Sequence, residues 1–173
     1  MRALKILLVL IVVSSTMSGQ TALRRQLRVK IERISPSSSG FDVVASVTNA
    51  GSQPVILAKG GFEARILQSL DVQQWDEKLG WQSVGPCRDV GPIATVALNP
   101  NETIQNIIPI SDMSHGRSTG RCPRKIAHLG GKVRSILYFA YESEEKYQNR
   151  MLGSDVNRVN IVSKPVELST AQR

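Results

Sequence analysis

Leu27-Arg28-Val29-Lys30-Ile31-Glu32 and, a few residues later, Phe41-Asp42-Val43-Val44-Ala45-Ser46-Val47-Thr48 decide the fold. In the first stretch, and in most of the second, apolar side chains alternate with charged or polar ones. That period of two sends the apolar groups to one side of an extended chain and the polar groups to the other. Between them lies Ser35-Pro36-Ser37-Ser38-Ser39-Gly40, a run of turn formers. The pair is therefore expected to form a hairpin with one buried face.

The same reading extends along the chain, and helical periodicity is nearly absent. Asn49 to Pro54 is the next turn, followed by the short apolar run Val55-Ile56-Leu57-Ala58 and a break at Gly60-Gly61. Ala64 to Trp75 is expected as a longer strand with Trp81 to Val84 as its return, joined by a turn that Gly80 closes in the left-handed conformation. A three-residue loop from Lys78 to Gly80 would set Trp75 and Trp81 diagonally on one face; a four-residue loop would send them to opposite faces. Thr95 to Leu98 and Thr103 to Ile110 flank the turn Asn99-Pro100-Asn101-Glu102. Lys132 to Tyr141 is apolar on both sides over Ile136 to Tyr141, which implies a central, doubly covered strand. Ser143 suits an N-cap for one or two helical turns over Ser143 to Leu152. Val156 to Val162 and Pro165 to Leu168 close the series, with Pro165 suited to a strand start or an edge. About eight short strands separated by Gly, Pro, Asn and Ser turns imply an all-β, antiparallel β-sandwich.

Residues 1–19 fix the compartment. Arg2 and Lys5 precede the unbroken apolar run Ile6 to Val13, and small residues follow through Gly19. Charge, apolar core and small-residue exit, in that order, describe a cleaved export signal. The run is far short of the ~20 apolar residues that a membrane-crossing helix needs, so no stable membrane anchor is expected. Residues 20–173 then form one domain, with an ordered core of about 24–168, working in the periplasm or outside the cell. The formal charge of +8 falls to +6 once Arg2 and Lys5 leave. This balance favours anionic surfaces, an envelope protein or an anionic glycan among them. The cations are scattered rather than gathered on one aromatic-bearing element, which argues against nucleic acid.

Cys87 and Cys122 are the only cysteines. In an exported chain a lone pair reads as one disulfide, and closing a loop of about 36 residues would stabilise the fold by roughly 3.8 kcal/mol in the chain-entropy picture. The competing reading is a zinc site with His115 and His128, but the spacing His-x6-Cys-x5-His lacks the closely paired ligands of structural zinc motifs. No cofactor or metal is expected.

Three segments add a resemblance. Val96-Ala97-Leu98-Asn99-Pro100-Asn101-Glu102-Thr103, then Gly131-Lys132-Val133-Arg134, then Ser163-Lys164-Pro165-Val166-Glu167-Leu168 resemble the late strands of immunoglobulin-like modules in exported bacterial proteins. There a leucine precedes a Pro-Gly-Glu-Thr-like turn and a Gly-x-Tyr-Arg-like strand follows. This chain has Asn101 in place of the glycine and Val133 in place of the tyrosine. The resemblance implies an immunoglobulin-like sandwich; such modules act as spacers, adhesion parts, inhibitors and binding domains, so it leaves function open.

Two surfaces are candidates for recognition. His115, Arg117, Arg121, Arg124 and Lys125 make a basic loop that a Cys87–Cys122 bridge would hold beside Arg88, where fixed guanidinium groups bind carboxylate, phosphate or sulfate. Trp75 and Trp81, if they share a face, offer a surface that stacks on sugar rings or anchors a protein. Gly116-Arg117-Ser118-Thr119-Gly120 matches the Gly-x-Ser-x-Gly elbow of serine hydrolases, with His128 as the sole downstream histidine. The preceding strand ends at Ile110 and no helical pattern follows, so the match lacks its required strand-to-helix setting. The expectation is an exported, non-enzymatic binding or structural module. An inhibitor presenting the 111–125 loop to an extracellular hydrolase is the alternative, and a Ser118 hydrolase the remote one.

Overall fold

The computed structural model describes residues 22–38, 40–60, 66–67, 69–85, 94–111, 130–151 and 158–168. The described strands are, in chain order, β1 (Leu27–Ser37), β2 (Gly40–Asn49), β3 (Val55–Gly60), β4 (Ile66–Leu67), β5 (Leu70–Asp76) and β6 (Gly80–Ser83). They continue with β7 (Ala94–Leu98), β8 (Thr103–Ser111), β9 (Gly131–Phe139), β10 (Arg158–Val162) and β11 (Val166–Leu168). Helical residues 22–26 (α1) precede β1, and α2 (Glu144–Met151) follows β9. The protein is all-β, and every strand pairing is antiparallel.

The strands form three sheets, ordered β1-β2-β8, β4-β3-β7 and β10-β9-β5-β6, with β11 also on β9. One core joins them. Val29 and Ile31 of β1, Val43, Ala45 and Val47 of β2, Leu57 of β3, Leu70 and Val72 of β5, Ile108 of β8 and Val133 and Leu137 of β9 all belong to a single buried cluster. Inward faces of several antiparallel sheets sharing one core are compatible with a β-sandwich. The mutual backbone bonds of Ile56 and Tyr141, at 2.8 and 2.9 Å, tie β3 to the end of β9. Beside them Tyr141 and Tyr147 pack edge to face at 5.3 Å, seating α2 on a small second cluster with Ala58.

The alternating stretches form the expected hairpin, but β1 runs on through Ser35-Pro36-Ser37 until Ser37 pairs with Gly40. Pairing with β2 carries the strand through residues that by themselves favour a turn. A register shift between Ile31 and Arg33 bulges β1 at Glu32. The bulged carboxylate accepts from Lys30 and from the Ser46 hydroxyl, each at 2.6 Å, and these two donors hold its pKa below the ordinary value of 4.5.

Other boundaries shift for local reasons. The long strand expected over Ala64 to Trp75 is β4 and β5 in separate sheets, with Ser69 between them. β10 and β11 share one side of β9, interrupted at Ser163-Lys164-Pro165, where the Ser163 hydroxyl accepts from the Ser135 amide at 2.9 Å. Pro165 sits where its missing N–H removes no ladder bond. These divisions give eleven described strands rather than about eight. Helix α1 was not signalled by periodicity: Leu23 is buried in the core and Arg24 Nε donates to Val159 O at 2.8 Å. α2 starts where Ser143 suggests, with Ser143 Oγ accepting from the Lys146 amide at 3.2 Å.

Candidate functional site

β9 is central, flanked by β5 on one side and β10 and β11 on the other. Its two faces differ. Val133, Ser135 and Leu137 are fully buried toward the core, whereas Arg134 and Tyr138 on the other face are only half-buried. The expected double cover is thus partial. Pairing of Gln73 with Arg134 and with Ser83, and of Asp71 with Ile136, carries this outer face across β5 and β6.

Trp75 and Trp81 stand directly opposite one another on that face, because Asp76 pairs with Gly80. The loop has three residues, as one of the two expected arrangements requires, but spans Glu77 to Leu79. The indoles are therefore opposite rather than diagonal. Asp76 sets the boundary: its Oδ1 accepts from the amides of Lys78 and Leu79 at 2.8 and 2.9 Å, an Asx-type turn. Gly80 closes the turn at φ 73°, the left-handed conformation expected of it. A β-carbon there would lie 3.7 Å from Trp75 Cζ3, an ordinary contact, so backbone conformation rather than space selects glycine.

Neither tryptophan enters the core. Their rings meet edge to face, 5.3 Å apart and inclined at 66°, and Trp75 is 44% exposed. The guanidinium of Arg134 lies over the Trp81 ring at 4.1 Å. Arg134 Nε donates to Gln73 Oε1 at 2.9 Å, and Gln73 Nε2 donates to the Tyr138 hydroxyl at 3.2 Å. Gln73 is itself 9% exposed, so this relay is held from within the sheet. Burial lowers the pKa of Arg134 and the neighbouring Tyr138 partly offsets this; a guanidinium stays charged at neutral pH regardless. The Ser83 hydroxyl donates to Asp71 Oδ2, and Asp71 Oδ1 accepts from the Val72 amide at 2.8 Å, so this carboxylate is occupied locally.

The result is a strip with one exposed indole, a second indole capped by a fixed cation, and an amide, a phenol and a hydroxyl beside them. It can stack on a flat apolar ring and donate hydrogen bonds from the Arg134 guanidinium. Of its members, Trp75 and Trp81 are legible in the sequence. Arg134, Gln73 and Tyr138 are not, since only the β5–β9 register brings them together. Cys87, Arg88, His115, Arg117, Ser118, Arg121, Cys122, Arg124, Lys125 and His128 lie outside the described residues, as do residues 1–19. The disulfide, basic-loop, inhibitor and hydrolase expectations rest on those positions.

Among the described residues no three His, Cys, Asp or Glu side chains gather as a metal site would require, and no helix is long and apolar enough to cross a membrane. A groove of about 440 Å³ runs between β1 and β11, lined in part by Ile31, Ile34, Val166 and Leu168. Strand β1 carries the Glu32 bulge in this wall and Lys30 and Pro36 outside it, features that discourage a further strand from pairing. No protein-family model matches this chain, and no curated protein matches it.

Proposed function

We propose that this protein is an exported, non-enzymatic binding module of the immunoglobulin-like β-sandwich kind. Its recognition surface is the outer face of β5, β6 and β9. The observation that carries this reading is the placement of both tryptophans outside the core, with Trp75 exposed and Trp81 under Arg134. A scarce, large aromatic left in solvent beside an ordered arginine is the composition of binding hot spots. The late-strand resemblance around Asn99 to Thr103 and the export-type leader support an envelope or extracellular setting, where the partner is an envelope component carrying negative charge.

Retention of envelope components from a cell extract tests the reading, comparing the immobilised wild-type chain with Trp75→Ala and Ile107→Ala. Ile107 is 58% exposed on β8, in another sheet, and serves as the control. The wild type and Ile107→Ala are expected to retain the same component and Trp75→Ala to lose it. Equal retention by Trp75→Ala contradicts the assignment.

A further inference from the structure

The outer face does more than present an aromatic ring: it presents a cation in a fixed position that is unpaired among the described residues. Arg134 is restrained twice, by the Nε bond to Gln73 Oε1 at 2.9 Å and by the Trp81 ring 4.1 Å below its guanidinium. Both restraints leave the two terminal nitrogens uncommitted. Among the described residues no carboxylate pairs with them, and the Asp71 carboxylate on the same face accepts instead from Ser83 and the Val72 amide. A restrained guanidinium with its fork free is arranged to receive a planar two-oxygen anion, because little side-chain freedom remains to be lost on binding.

The surroundings select what carries that anion. Trp75 lies beside Trp81, so the exposed indole and the cation are neighbours on one strip. The groups around them are the Gln73 amide, the Tyr138 phenol and the Ser83 hydroxyl, bonded to Arg134, to one another and to Asp71, so the surround is polar rather than an apolar pocket. A pyranose ring offers the matching parts: a flat apolar face for the indole and a rim of hydroxyls for the polar termini. A carboxylate on that rim answers the charge with two coplanar oxygens that match the guanidinium fork.

Resting on the reading that this face is the recognition surface, we infer that the Trp75–Trp81–Arg134 strip binds an acidic saccharide, a uronate-bearing chain, with Trp75 stacking on a sugar ring and Arg134 receiving its carboxylate. Arg134 is then the residue that separates acidic from neutral saccharides.

Calorimetric titration with trigalacturonate and with its methyl ester, which keeps the rings and removes the charges, tests this. Wild type is expected to bind the acid at least tenfold more tightly than the ester, and less tightly as salt is raised. Arg134→Gln should lose that tenfold preference while keeping the ester affinity, and Trp75→Ala should lose both ligands. Thermal unfolding of each variant, with Ile107→Ala alongside, separates lost binding from lost fold. Equal binding of acid and ester by wild type, an Arg134→Gln variant that still prefers the acid, or no binding of either probe overturns the acidic-saccharide assignment. If Trp75→Ala still abolishes retention from envelope extract, the face survives that failure and only the ligand class falls. If Trp75→Ala behaves as wild type in both assays, the face falls with it.

Discussion

Asn101 adopts φ 63° in the turn between β7 and β8, at the position where the resembling modules have glycine. The left-handed conformation admits Asn because its short amide tolerates the backbone crowding that a β-branched chain does not. The turn is tied on both sides: Asn101 N donates to Asn49 O at 2.7 Å and Glu102 N to Asn99 O at 3.0 Å. Asn101→Gly should therefore be within about 0.5 kcal/mol of wild type in denaturant unfolding, and Asn101→Val less stable by about 1–2 kcal/mol. Equal stability of the two variants would contradict the account of this turn. Tyr147 makes a second residue-scale prediction. Burial, and then the nearby Glu144 carboxylate, raise its pKa above the ordinary 10.0. The folded state thus holds the phenolic proton more tightly than the unfolded state does. Its contribution to stability is fully present below pH 10.0 and is lost as pH rises from there through the raised folded-state pKa. Thermal unfolding across alkaline pH should show this decline in wild type and a weaker one in Tyr147→Phe; identical profiles would refute it.

At the scale of elements, the β5–β6 hairpin carries the functional argument, and its register depends on Asp76 and Gly80. Gly80→Val forces a β-branched residue toward φ 73°, so it should cost about 1–2 kcal/mol and shift the pairing of Trp75 with Trp81. The crossed indoles should give an exciton couplet in circular dichroism that weakens in this variant. An unchanged couplet with unchanged stability would count against the register. This hairpin also marks how far the sequence could be read. Alternation exposed β1 and β2, the Asn99–Glu102 turn marked β8, and the two-sided apolar run from Ile136 to Tyr141 marked β9, because burial against a core leaves its pattern whichever strand lies alongside. The position of the three-residue loop was not readable, since it turns on which amides Asp76 caps. Nor was Arg134 over Trp81, which needs β9 beside β5 across a long stretch of chain. The split of β4 from β5 was hidden for the same reason: strand propensity continues through Ala64 to Trp75, while sheet membership changes.

For the molecule as a whole, one core cluster drawn from all three sheets predicts a single cooperative unfolding transition. The export signal expected at residues 1–19 leads to one further whole-chain prediction. Peptide mass mapping of the unreduced protein should recover Cys87 linked to Cys122, and reduction should lower the unfolding free energy by roughly 3.8 kcal/mol. Two free thiols in the unreduced protein would remove that brace. Oxidative footprinting of tryptophan in the presence of envelope extract reads the outer face of β5, β6 and β9 without any substitution. Modification of Trp75, 44% exposed in the free protein, should slow when the extract is added, while labelling at Ile107 on β8 stays unchanged. An unaltered Trp75 rate under conditions where the chain is retained on envelope material would contradict the assignment of this face as the recognition surface.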